Sequence, residues 1–137
     1  MIRELDRREI EKTLDHIIKS YSHDKEYQYW FNNEIEIQQP NRAFLIGDGS
    51  YYVDIDRVHD VNTFGILRLR DTNKPFISDM VELMNRCIKE YGVLACFRDV
   101  NHKQVATLWK YLERKCNVIT EEIQVSNVIV KIFYEKE

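Results

Sequence analysis

Between Val61 and Tyr134 the apolar residues switch repeatedly between the two-residue repeat of a strand and the longer repeat of a helix. The pattern predicts a strand at Val61–Leu69, a long helix at Asn73–Tyr91, a buried strand at Val93–Phe97 and a second helix at His102–Lys115. A closing pair of strands follows at Val118–Val125 and Val128–Tyr134. This order constrains the fold, because a strand–helix–strand unit sets its strands parallel in one sheet with the helix crossing behind them. Sheets of this kind often hold a ligand at the strand ends.

The front half adds elements to the same sheet. Ile2–Leu5 reads as a first strand, and Asp6 with Glu9 as a capping box that opens a helix. Ile10, Leu14, Ile17, Ile18 and Tyr21 follow at helical spacing, and the pattern dissolves at Ser22-His23-Asp24. Glu26–Ile37 crowds Tyr27, Tyr29, Trp30 and Phe31 together and reads as a short helix or an irregular aromatic segment. Pro40 breaks it, since proline disfavours helix at the residue before it. Arg42–Ile46 and Tyr51–Asp56 read as strands joined through Gly47-Asp48-Gly49-Ser50. A polar turn at His59 and Asp60 leads into Val61–Leu69, which extends the meander.

In the long helix, Phe76, Met80, Leu83, Met84, Cys87, Ile88 and Tyr91 share one face, and Gly92 suits the C-terminal cap. Val93–Phe97 is uninterruptedly apolar, as expected of a strand covered on both faces. The last helix aligns Val105, Leu108, Trp109, Leu112 and Cys116, with Asn101 as the expected cap and Gln104 as its reciprocal partner. The whole chain, 1–137, reads as a single α+β domain, a mixed, mostly antiparallel sheet with a central parallel pair and helices on both faces. The length of 137 residues suits one core.

With 20 basic against 23 acidic side chains, the chain has no cationic excess that would recommend nucleic acid as a partner. No apolar stretch approaches a membrane span, and the N-terminus lacks the apolar core of a secretion signal, so cytoplasmic residence is the expectation. Cys87, Cys96 and Cys116 fit no zinc spacing and read as small buried hydrophobes in a reducing compartment.

Three stretches carry a family resemblance: the opening Ile2–Asp6, the strand–Asp-Gly–strand hairpin Arg42–Asp56, and Leu94–Val118 with its strand, Asn101 and helix. Together with the element order they resemble the GNAT fold, that of the Gcn5-related N-acetyltransferases. The resemblance implies acetyl-CoA lying between the Val61–Leu69 and Val93–Phe97 strands, with an amine attacking its thioester. It places Leu69, Arg70, Thr72, Asn73, Lys74 and Asn101 at the coenzyme and makes Tyr111 the candidate acid for the departing thiolate. Family members present a glycine-rich loop to the coenzyme pyrophosphate at the start of the long helix. This chain has Leu69-Arg70-Asp71-Thr72-Asn73-Lys74-Pro75-Phe76 there, with no glycine, a proline that lacks a donor and an added acid. On that loop no cofactor is expected, with acetyl-CoA as the alternative if the chain is an active acetyltransferase.

Short, glycine-poor versions of the fold occur among bacteriophage proteins, some packaged in virions, and Asn101–Glu122 is similar to their helix-and-strand segment. That resemblance implies a non-catalytic protein that binds a viral or host protein, in the host cytoplasm or the virion. Tyr29, Trp30 and Tyr52 are the candidate interaction residues, because Tyr and Trp dominate interface anchors. Val128, Val130 and Ile132 alternate along an expected free edge that could pair two subunits. Asp54, Asp56, His59 and Asp60 form the densest group of metal-ligand types but read as solvated acids, so no metal site is assigned. Asp54 and Asp56 are also available as bases for an amine. His16 and His102 read as surface histidines.

Overall fold

Seven strands form one sheet in the computed structural model, which describes residues 1–20 and 41–137. The strands are β1 (Ile2–Glu4), β2 (Arg42–Ile46), β3 (Tyr51–Val58), β4 (Val61–Arg68), β5 (Val93–Asp99), β6 (Val118–Val125) and β7 (Val128–Glu135). Their spatial order is β1-β2-β3-β4-β5-β7-β6. Every neighbouring pair is antiparallel except β4 and β5. The helices among the described residues are α1 (Arg7–Ser20), α2 (Ile77–Tyr91) and α3 (Lys103–Lys115). None of them is long and apolar enough to cross a membrane.

The capping box is formed as the spacing implies. The Glu9 amide donates to Asp6 Oδ1 at 2.8 Å, and the Asp6 amide donates to Glu9 Oε1 at 3.2 Å. Asp6→Ala is expected to cost about 1 kcal/mol of stability, read by urea unfolding. α1 buries Ile10 and Ile17 with Leu5, Ala43 and Tyr52, so it covers the β2–β3–β4 half of one sheet face. Ile18, expected on the inner stripe, is 37% exposed. Tyr21 and the aromatic segment lie outside the described residues.

α2 and α3 cover the opposite face. Met80, Leu83, Met84, Cys87 and Ile88 of α2 pack with Trp109 and Leu112 of α3 on Phe44, Val53, Phe64, Leu94 and Phe133 of the sheet. This is the main core, and it holds the inward stripes expected of both helices. α2 begins at Ile77, four residues later than expected, since Asn73–Phe76 runs as loop. Proline at position 75 is compatible with a first helical turn, so the pattern alone does not mark the start. Phe76 instead lies flat on Tyr51, with ring centroids 4.0 Å apart.

Two other boundaries shift. β5 runs two residues past Phe97, and Phe97 is 53% exposed rather than covered on both faces. α3 is capped by His102, whose Nδ1 accepts from the Val105 amide at 3.4 Å, and not by Asn101. The expected free edge is also displaced. β7 is sandwiched between β5 and β6, and the outermost strand is β6.

Candidate functional site

The parallel pair creates the site. β4 and β5 are in register only at Thr63 and Ala95. Beyond that point β4 continues to Arg68 and β5 to Asp99 without registered partners across the gap. The sheet therefore forks toward the strands' C-terminal ends. On the helical face the fork is lined by apolar side chains. Phe64 of β4 is 7% exposed and meets Phe133 edge-on, while Ile66, Val105 and Leu108 pack against the same cluster.

The loop that leaves β4 is stitched to the β2–β3 turn. The Leu69 amide donates to the Ser50 carbonyl at 2.7 Å. Arg70 donates through Nε to Ser50 Oγ and through Nη2 to the Asp48 carbonyl, both at 2.9 Å. The Thr72 hydroxyl donates to Asp48 Oδ2 at 3.0 Å and accepts the Lys74 amide at 3.0 Å. Bonds from Ser50 and Thr72 hold the Asp48 carboxyl below its ordinary range. Gly47 comes so close to Phe76 that a Cβ there would sit 3.4 Å from the Phe76 Cβ, and its φ of +68° suits glycine.

Around the start of α2, which has no side-chain cap, several polar groups are matched to each other. Asp79, in the first turn, accepts from the Gly47 amide at 2.7 Å and from the Met1 amine at 2.6 Å. A diphosphate at a helix start needs free amides and positive potential. Here the Leu69 and Lys74 amides are spent, Pro75 has none, and Asp48, Asp71 and Asp79 add negative charge. Of the six residues assigned to the coenzyme, Leu69, Arg70, Thr72 and Lys74 are all engaged in this stitching. Asn73 lies within the same loop. Asn101 lies across the fork, where its amide donates to Asp99 Oδ1 at 2.9 Å. Two amides of the loop are thus committed within the chain, while the start of α2 carries no side-chain cap.

Tyr111 is on α3 but carries its ring beside Arg114 and Lys115, 6.0 and 5.8 Å from their charges. The charged residue of α3 that bonds to the sheet is Glu113. Its Oε2 accepts from Lys131 Nζ at 2.8 Å, and its Oε1 is bonded by the Thr120 hydroxyl. Lys131 is 4% exposed, and Arg98 lies beside it over the Trp109 ring with Glu122 3.8 Å away. The Lys131 bond holds the Glu113 carboxyl below its usual range. This buried charge group was missed in the sequence. Its signal was there, since Lys131 occupies the inward register of β7 between Ile129 and Phe133.

On the α1 face, Asp54 stands opposite Gly65, where an added Cβ would lie 3.1 Å from Asp54 Oδ1. Burial pushes its carboxyl up to about 6, repulsion from Asp56 adds to this, and the Gly65 amide works against it. Asp56 lies opposite Thr63, the residue at the root of the fork. His59 and Asp60 form the β3–β4 turn at positive φ, and Asp60 pairs with Arg57 at 3.7 Å. Among the described residues no group of His, Cys, Asp and Glu could hold a metal ion. All three cysteines are buried, and desolvation raises the Cys87 and Cys116 thiols to about 11. Tyr52, assigned to an interaction surface, is 3% exposed beneath α1 and belongs to the core. Tyr29 and Trp30 lie outside the described residues.

No family profile and no curated protein sequence matches this chain. Solved structures do. The N-acetyltransferase PseH of Campylobacter jejuni, in its complex with acetyl coenzyme A, superposes with a TM-score of 0.59 at 13% identity, over 99% of this chain and 100% of that one. The F149A mutant of the spermidine N-acetyltransferase SpeG of Vibrio cholerae gives 0.54 at 13% identity, over 99% and 94%. A putative phosphinothricin N-acetyltransferase gives 0.56 at 12% identity, over 99% and 97%. The chain has the GNAT fold, and its structural neighbours are N-acetyltransferases of that type.

Proposed function

We propose that this is a GNAT-fold protein that works by binding another protein rather than by transferring an acetyl group. The observation that carries this reading is the stitched loop. The loop amides at Leu69 and Lys74 are bonded to Ser50 and Thr72, with Pro75 between them and the helix. A coenzyme would have to break these bonds and face three carboxylates. The reading is also supported by the sheet face away from α2 and α3. There, among the described residues, no helix covers the β5–β7–β6 half. Phe97, Val130 and Ile123 form one cross-strand row, and Phe97, Ile119, Ile123 and Val125 are each at least 50% exposed. Contiguous apolar surface rimmed by polar groups is characteristic of protein contacts. The setting suggested by the sequence resemblance, a phage-infected cell or a virion, rests on that resemblance alone.

The fork at Thr63–Ala95 favours a second reading, an acetyl-CoA-dependent N-acetyltransferase, because the GNAT resemblance puts the coenzyme between these two strands and PseH, a neighbour in fold, is a complex with acetyl coenzyme A. Thermal unfolding with acetyl-CoA separates the two. A ligand present at 100 times its dissociation constant stabilises a protein by about 2.7 kcal/mol, which raises Tm by several degrees. No rise at millimolar acetyl-CoA is expected, and a rise of that size refutes the binding-protein reading. The outward face is tested separately, since Phe97→Asp should abolish capture of a purified partner while leaving the circular dichroism spectrum intact.

A further inference from the structure

We infer that β6 is a self-association edge, along which a second copy of this chain adds antiparallel and continues the sheet. Among the described residues the sheet ends unequally. At one side β1 is a three-residue strand, too short to template another chain. At the other, β6 presents eight residues, and it is laddered to β7 without interruption from Val118↔Glu135 to Val125↔Val128. Proteins that avoid edge pairing use short strands, proline, lysine or bulges there. β6, reading Val-Ile-Thr-Glu-Glu-Ile-Gln-Val, is long and has no proline, lysine or bulge, and its two charged residues, Glu121 and Glu122, are each partnered within their own subunit.

The β6–β7 turn sets which backbone groups are free. A two-residue turn, Ser126-Asn127, closes at the Val125–Val128 pair, so odd-numbered residues of β6 bond inward to β7. The amides and carbonyls of Thr120, Glu122 and Gln124 therefore point outward. Two such edges related by a two-fold axis can exchange these bonds, with each residue opposite one on the same face.

Charge selects the register. Centring the axis at Ile123 sets Ile123 against its own copy, Glu122 against Gln124 and Glu121 against Val125. No acid then faces an acid directly. Glu122 is also balanced from within its own subunit by Arg98 at 3.8 Å and Lys131 at 4.0 Å. Glu121 accepts from the Tyr134 hydroxyl at 3.2 Å. The inference is independent of whether the fork binds a coenzyme.

Sedimentation velocity on the full chain tests it. A contact this small is weak, with a dissociation constant of about 10–100 µM expected. The sedimentation coefficient should rise from monomer toward dimer between about 5 and 500 µM protein. Gln124→Pro removes an outward donor without touching the β7 ladder, and Ile123→Lys sets like charges on the axis. Each should leave a monomer at every concentration with an unchanged melting curve. A monomeric parent protein at about 500 µM, or a dimer that persists in either folded variant, overturns the inference.

Discussion

Phe133→Ala should lower the free energy of unfolding by about 3–5 kcal/mol, enough to consume a large share of the stability of a domain this size. Phe133 is fully buried on β7, which is itself enclosed by β5 and β6, and its ring meets Phe64 edge-on at a centroid separation of 6.4 Å. The truncation therefore loses transfer energy, an aromatic contact and packing on both sides of the fork at once. Strands paired on both sides cannot close readily around the void, so the cavity cost stays high. Guanidinium unfolding gives the measure. A loss below about 1 kcal/mol would mean that the ring is not the centre of the main core.

The second large effect has the opposite sign. Asp54→Asn should stabilise the protein by about 2–3 kcal/mol at pH 8 and by almost nothing at pH 3. Asp54 holds its proton up to about pH 6 in the folded chain, because burial and the neighbouring Asp56 disfavour its charge. In the unfolded chain it ionises near its ordinary value of 3.8. Below that value both states are protonated and nothing is lost. Between it and about 6 the folded state holds more protons than the unfolded state, so stability falls as pH rises. Above 6 the full penalty remains. Asparagine keeps the shape and the acceptor for the Gly65 amide but removes the charge. Carboxylates held low, such as Glu4, Asp48 and Glu113, push the parent profile the other way. The difference between parent and variant across pH isolates Asp54, and a flat difference would remove the assigned shift.

Much of the fold was legible because it is written in local periods. The α2 and α3 stripes end in the main core almost residue for residue, and the Asp6–Glu9 box and the Gly92 cap need only neighbours within one turn. The unusual composition of Leu69–Phe76, free of glycine and with a proline that lacks a donor, was also legible. The coenzyme assignments for Arg70, Thr72 and Lys74 read the loop by itself. Its true partner, the Asp48–Ser50 turn, lies about twenty residues away in sequence.

What remained hidden is non-local. β7 is apolar at nearly every position and β6 is not, a hint that β7 is the inner strand, but its insertion beside β5 is a crossover that sequence order does not give. Tyr52 reads as an interface anchor in the sequence, but α1 lies across its face and buries it. Lys131 reads as a flaw in an apolar strand until α3 brings Glu113 to within 2.8 Å. Sequence alone determined the elements, their order and the glycine-free character of the loop after β4, since those follow from side-chain period and residue type at each position. Only the tertiary structure decided which edge is free, which aromatic is covered and which charges are paired, since each depends on segments far apart in the chain meeting across the sheet.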